Sequence, residues 1–155
     1  MTQHCTDLTM ELADDHRAIL AIFDRIHSTP LEDPARERLL RHAAGELERH
    51  AIAERRFLLP VLRRRLTEGE DMARAEAEEH ERLTGMVNAL GSASVARPGF
   101  DAQLRALELE VKRHIRHDEH SLFPLLRQAC PHEDLHMLGS AFREHATRHH
   151  ADVAA

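Results

Sequence analysis

The sequence predicts an all-α protein, folded as an antiparallel up-down four-helix bundle with a short extra C-terminal helix. Charged residues make up 31% of the chain and aromatic residues only 3%, a balance that favours helices over strands. Apolar residues recur at spacings of three and four, which is the helical period. Four long periodic segments are joined by short connections, as in an up-down bundle. We therefore expect a single domain over residues 1–155, a length that can bury a proper core.

Capping residues and helix breakers set the predicted helix boundaries. The predicted helices run from Asp7 or Thr6 to about Ser28, from Asp33-Pro34 to about Leu66, from about Glu70 to Leu90, from about Phe100 to Ala129, and from about His132 to His150. The core is expected over about residues 7–130, and residues 92–99 are predicted to form a loop. Pro60 and Pro124 lie inside the second and fourth helices, where the missing N–H group predicts a bend at equivalent heights.

Charge and hydropathy exclude several classes of function. The net charge of -6 argues against a nucleic-acid-binding protein, which should carry a basic face. No apolar stretch approaches the ~18 residues that a membrane helix needs, and no basic segment followed by an apolar run marks a secretory signal. Cys5 and Cys130 are too few to form a disulfide framework in a chain of this size. We expect a cytoplasmic protein without membrane or nucleic-acid partners.

The informative residues are histidines and acids that interrupt the apolar stripe of each long helix. They are His16 in the first helix, His50 and Glu54 in the second, Glu76 and His80 in the third, and His114 and Asp118 in the fourth. One histidine on an apolar stripe is usually a core residue whose hydrogen bonds are satisfied. That explanation does not readily account for four helices that each carry such a histidine. Because buried polar groups without partners lose several kcal/mol of solvation, these seven residues predict a hydrogen-bond network or a bound cation. The stripe of the fourth helix is predicted to continue through Ser121 and Leu125.

The order of these residues resembles the hemerythrin-like HHE cation-binding family. The matching motifs are Asp14-Asp15-His16-Arg17, His50-x-x-x-Glu54, Glu78-Glu79-His80-Glu81 and His114-x-x-x-Asp118. A Phe/Leu-Pro pattern follows both His-x-x-x-acid motifs. The resemblance covers about residues 7–130 and is specific in its combined spacing. It implies two non-haem iron ions inside a four-helix bundle, bridged by two carboxylates and by an oxo or hydroxo group.

Carried over position by position, the resemblance makes the four stripe histidines terminal nitrogen ligands and makes Glu54 and Asp118 the bridging carboxylates. Asp118 is shorter than the usual Glu, so Glu119 stays open as the alternative bridge. Oxygen-carrying members have an additional histidine where this chain has Glu76, and an acid there favours ferric iron over reversible O2 carriage. Glu76 itself is either a ligand or a partner of His80.

Three functions follow from the resemblance. The first is a di-iron oxidoreductase of oxidative or nitrosative defence, for example with catalase-like activity, whose small-molecule partner is H2O2, O2 or NO. The second is a protein that carries or senses O2 or iron, and the third is an iron-storage module without turnover. The absence of Tyr and Trp disfavours radical chemistry and suits a protein that meets peroxide. Glu76 also shifts the expectation away from O2 carriage and towards peroxide chemistry or iron handling.

Other metal sites fit the sequence less well. A ferritin-like centre needs two Glu-x-x-His motifs, and only Glu133-x-x-His136 fits that pattern. A closed structural zinc site is usually rich in Cys. His145 and His149 form an i, i+4 pair, with His150 beside them, that can bind a surface metal adventitiously. His117 and His120 project away from the predicted stripe.

Overall fold

The structure of the protein, a computed structural model, describes residues 6–91 and 97–154, and its regular secondary structure there is helical. The α-helices are α1 (Leu8–Ser28), α2 (Ala35–Ala53), α3 (Leu59–Arg65), α4 (Gly69–Gly91), α5 (Phe100–His117), α6 (Phe123–Ala129) and α7 (His132–Ala154). Within those described ranges no strand is present, so the predicted all-α class is confirmed. Cys5 and most of the predicted 92–99 loop lie outside the described residues.

Two π-helical turns make continuous columns out of four of these helices. The turn Glu54–Leu58 joins α2 to α3, and the turn Asp118–Leu122 joins α5 to α6. The first turn closes with a hydrogen bond from the Leu59 N–H to the Glu54 carbonyl, five residues back. The next residue is Pro60, which has no N–H and whose ring would clash with the carbonyl four residues earlier in a regular α-helix. The wider turn accommodates that proline, and the second turn precedes Pro124 in the same way.

The π turn Asp118–Leu122 changes which residues of the fourth predicted helix face the core. Ser121 is exposed and Leu125 is 41% exposed, whereas Leu122, Phe123 and Leu126 are buried. Because a π turn holds more residues than an α turn, the residues that follow it are rotated out of the 3.6-residue phase. The prediction assumed a regular α-helix and was wrong from Ser121 onward.

Helix ends are set by local chemistry. Asp7, rather than Thr6, caps α1, because its side chain accepts a hydrogen bond from the Met10 N–H at 3.1 Å. Gly99 precedes α5 with a φ of 87°, a left-handed conformation that glycine adopts without steric cost. Helices α1 and α2 pack together, α2 packs on α4, α4 on α5, and α5 on α1, so these four enclose a common interior.

The interior holds two apolar clusters. One includes Leu12, Leu58 and Phe123, and the other includes Ile19 and Val111. Along α1, a single buried polar residue separates the two clusters, since His16 lies between Leu12 and Ile19. Polar side chains from the other helices meet it there.

The last helix, α7, packs along α1 and extends beyond the predicted end at His150. A Cβ atom on Gly139 would lie 2.5 Å from the Thr6 carbonyl oxygen, so only glycine permits this close approach. Arg143 reinforces the contact by donating to Glu11 Oε1 at 2.6 Å and to the Thr6 carbonyl at 3.1 Å. In the described part of the chain, no helix is long and apolar enough to cross a membrane.

Candidate metal centre

The structure brings all seven sequence-predicted residues into one buried layer between the two apolar clusters. Helix α1 supplies His16, α2 supplies His50, α4 supplies Glu76 and His80, and α5 supplies His114. Glu54 and Asp118 are the first residues of the two π turns. None of the seven is more than 5% exposed, and the two π-turn carboxylates are wholly buried.

The donor atoms fall into two overlapping groups, within each of which every atom lies within 4.8 Å of the others. The larger group consists of His16, His50, Glu54, His114 and Asp118, and the smaller group consists of Glu54, Glu76, His80 and His114. Glu54 and His114 belong to both groups. Each group could hold a cation, and the two groups have one carboxylate in common.

Short distances link the histidines to the shared carboxylate. Glu54 Oε1 lies 2.9 Å from His50 Nε2, and Glu54 Oε2 lies 2.6 Å from His80 Nε2. The two Nε2 atoms of His16 and His50 are 3.0 Å apart. The i, i+4 spacing places His50 beside Glu54, and the same spacing brings His114 Nε2 to 3.1 Å from Asp118 Oδ2.

Most of these donor atoms lack a hydrogen-bond partner of acceptable geometry. Both carboxylate oxygens of Glu54 and of Asp118 are unpartnered, as are both ring nitrogens of His80 and of His114. The atoms are close together, but these contacts do not have the geometry of hydrogen bonds. Buried polar atoms without partners cost free energy, and a cation among them would satisfy them. The mixed imidazole and carboxylate donors also suit iron, manganese or zinc, so the residues present fit a bound metal.

Burial and neighbouring charges displace the pKa values of several donor groups in the layer. Burial raises the pKa of the Glu54 carboxyl, but the neighbouring His50 and His80 outweigh it and hold that pKa well below its usual range. Burial lowers the pKa of His50, and the Glu54 charge overcomes this and raises it to about 10. Burial, together with the Glu54 and Glu76 charges, raises the pKa of Asp118 well above its usual value. A cation would offset the carboxylate repulsion that raises the pKa of Asp118.

Glu76 and His16 are also displaced from their ordinary ionisation. Burial and the Glu54 charge raise the pKa of Glu76 to about 7. Burial and the charge on His50 lower the pKa of His16 to about 3, so its imidazole is neutral and one of its ring nitrogens has a lone pair that can bind a metal.

Two outer carboxylates contact the far sides of the histidines. Asp15 Oδ2 lies 3.3 Å from His50 Nδ1, and Glu119 Oε1 lies 3.5 Å from His16 Nδ1. Contacts of this kind fix the ring orientation and leave Nε2 for a metal. Glu119, the alternative bridge, is therefore placed behind His16, whereas Asp118 belongs to the larger donor group. Sequence reasoning gave Asp15 no role, because only the packing of α1 on α2 brings it to His50.

The remaining candidates lie outside the layer. His145 and His149 stack with their ring centroids 6.3 Å apart, whereas His132 and His136, which the sequence did not single out as a pair, bring their Nε2 atoms to 2.9 Å. Glu133 and His136 belong to neither donor group. His117 is 58% exposed and contacts Glu76 Oε1 through its Nε2 at 3.4 Å.

Comparison with known proteins agrees with this geometry. The profile of the hemerythrin HHE cation binding domain matches residues 7–126. An uncharacterised hemerythrin-like protein of Schizosaccharomyces pombe is 27% identical over 137 residues, covering 87% of this chain and 67% of that protein. The crystal structure of a hemerythrin HHE cation binding domain-containing protein from Mycobacterium kansasii matches with a TM-score of 0.83 at 16% identity, covering 95% of this chain and 89% of that one. Since the family profile spans most of its length and includes all seven residues of the buried layer, the chain belongs to the hemerythrin HHE cation-binding domain family.

Proposed function

We propose that this chain is a non-haem di-iron protein that reacts with peroxide, O2 or NO in the cytoplasmic response to oxidative or nitrosative stress. The observation that carries the proposal is the pair of donor groups that share Glu54 and His114 in a fully buried layer. Two ions with a shared carboxylate are what such a donor set accommodates. The whole chain then acts as one hemerythrin-like domain, in which the columns containing α1, α2, α4 and α5 run up and down around the centre.

In this proposal His16, His50 and Asp118 hold one ion, and Glu76 and His80 hold the other. Glu54 and His114, which belong to both donor groups, would help to hold both ions. Such a pair of ions, when bound, supplies redox chemistry and a position for a small oxidant. The surrounding side chains hold the donors in place, and Asp15 and Glu119 keep the His50 and His16 rings oriented through their Nδ1 atoms.

Two features favour peroxide chemistry over reversible O2 carriage. Glu76 adds a third carboxylate to the layer, which stabilises the more highly charged state of a metal ion. The chain also has no Tyr and no Trp that a reactive oxidant could attack. Burial of all seven donor residues keeps bulk water away from them.

The proposal is tested by quantifying iron in the purified protein and recording its ultraviolet-visible spectrum before and after peroxide is added. Because the chain lacks Trp and Tyr, charge-transfer bands of a ferric pair would stand almost alone in the near ultraviolet. Two irons per chain with rapid peroxide consumption is the expected result. Two irons without turnover would favour O2 or iron sensing, carriage or storage instead. A stable protein that binds no iron would refute the di-iron proposal.

Substitutions locate the ions in the same assay. His50→Ala and His114→Ala each remove a donor from the buried layer, so each variant should lose at least one iron. His149→Ala removes an exposed histidine of α7 and serves as the matched control, which should keep both irons. Full iron retention in both buried variants would overturn the ligand assignment.

A further inference from the structure

A groove between α4 and α5 leads from the surface to the buried layer. It has a volume of about 410 Å³ and is lined by Ala75, Glu76, Glu79, Arg113, His114 and His117. Glu76 and His114 are members of the smaller donor group. The seven donor residues are otherwise almost inaccessible to solvent, so an opening that reaches two of them matters for any ligand that must enter.

Glu76 forms the boundary between the groove and the buried layer. Its Oε1 lies 3.4 Å from Nε2 of the exposed His117, on the groove side. Its Oε2 is buried without a hydrogen-bond partner and lies 3.8 Å from His114 Nδ1. One carboxylate therefore contacts a surface residue through one oxygen and a candidate ligand through the other.

The charges at the mouth of the groove are balanced by local ion pairs. Arg113 pairs with Glu110 at 2.6 Å, and Glu79 pairs with Arg82 at 2.7 Å. Because Arg113 and Glu79 are each paired with a residue of opposite charge, neither presents an unpaired charge at the mouth of the groove. A groove of this kind favours small uncharged molecules over anions.

The pocket beneath α7 is a poorer route. It has a volume of about 120 Å³ and lies between α7 and the residues Asp15, Ile52 and Ala53. It reaches Asp15, which contacts the outer side of His50, but its lining includes none of the seven donor residues.

We propose that the α4–α5 groove is the access route by which small uncharged ligands, of the class of NO, O2 and H2O2, reach the Glu76 and His80 side of the centre. This inference rests on the proposed function, since it assumes that iron occupies the layer. Ala75 lies on the wall of the groove and is exposed, so its side chain can be enlarged without disturbing the core.

The test uses Ala75→Phe, with Ala106→Phe as the matched control on an exposed face of α5 that does not line the groove. Both variants are loaded with ferrous iron, and the binding of NO is followed by stopped-flow absorbance. A route that is narrowed delays ligands in both directions. We therefore expect association and dissociation to slow together, by about tenfold, with Kd unchanged. The Ala106→Phe protein should match the unsubstituted protein.

The outcomes separate the route from the function. If Ala75→Phe binds iron and NO at unchanged rates, the groove is not the route, whereas the proposed function stands. If Kd rises while the association rate is unchanged, residue 75 affects the bound ligand and the route is again overturned. His117→Phe provides a second obstruction from the opposite wall, and it should reproduce the slow kinetics without loss of iron. An unsubstituted protein that binds no iron would overturn the proposed function and the route with it.

Discussion

Glu54→Gln separates the role of the shared carboxylate in metal binding from its role in the fold. Glu54 is wholly buried, belongs to both donor groups, and lies within 3 Å of the Nε2 atoms of His50 and His80. Glutamine has the same shape but no charge, so it removes the bridge without opening a cavity. Glu48→Gln, at an exposed position on α2, is the matched control.

The expected magnitude follows from the number of ions that Glu54 contacts. Metal at a hundredfold excess over its Kd stabilises the folded state by about 2.7 kcal/mol per site. For a chain of this length, each kcal/mol raises Tm by roughly 2–4 °C, so metal should raise the Tm of the unsubstituted protein by at least about 5–11 °C. Because both sites lose a ligand in Glu54→Gln, its Tm should rise by less than about 2 °C.

Without metal, the same substitution should lower the free energy of unfolding by up to about 3–5 kcal/mol, because it removes one partner of a buried ion pair. The loss is partly offset, because the cost of burying the carboxylate is also removed and His50 can become neutral at pH 7. Differential scanning calorimetry of both variants, with and without ferrous iron under anaerobic conditions, measures all four values. A metal-dependent rise in Tm for Glu54→Gln equal to that of Glu48→Gln would refute the shared-carboxylate argument.

Three other predictions follow from the same layer and its surroundings. Asp118→Asn should lose at least one iron by elemental analysis, whereas Glu119→Gln should keep both, and the opposite result would make Glu119, not Asp118, the ligand. Gly139→Ala should lower the free energy of unfolding by about 1–3 kcal/mol in a urea titration, because its Cβ would collide with the Thr6 carbonyl; an unchanged midpoint would show that α7 shifts freely. In the metal-free protein a buried carboxylate raises the pKa of His50 to about 10, so the stabilisation from its proton is complete below pH 6.5 and is lost as the pH rises through about 10. Metal binding at pH 8 should therefore release about one proton from His50, and calorimetry in buffers of different ionisation enthalpy would detect its absence.

The sequence was most informative where a buried polar residue interrupts an apolar stripe. His16, His80 and the two His-x-x-x-acid motifs were found by helical spacing alone, because charged or polar side chains are easily recognised within an otherwise apolar stripe. The same spacing predicted five helical columns, with ends that differ from the structure by a few residues. That these seven residues bind metal remains a prediction for the iron assays.

The π turns could not be predicted from spacing. A period of 3.6 residues was assumed through Pro124, which placed Ser121 and Leu125 in the core, whereas the widened turn buries Leu122 and Leu126 instead. The choice between a bent α-helix and a π turn depends on how the backbone around the proline satisfies its hydrogen bonds within the packed protein. No count of apolar residues carries that information.

Contacts between helices were also beyond the sequence. Glu108 is buried although it lies on a charged stretch, because His27 of α1 and Lys112 of its own helix pair with it. His27 is far from Glu108 along the chain, and only tertiary packing brings the two together. The contacts of Asp15 with His50 and of Glu119 with His16 have the same origin.

The division of the interior into two apolar clusters bears on how the molecule unfolds. Each cluster has its own hydrophobic driving force, but the layer between them consists of groups that repel one another or lack partners when no cation is present. Whether the two clusters unfold together then depends on the contacts within this layer, which are the least favourable in the interior. The proposed iron centre would connect four helices at the level of that layer, so loss of iron would weaken the contact between the two clusters. Cellular proteases, which cleave partly opened chains, would then distinguish the iron-loaded form from the iron-free form without any dedicated recognition signal.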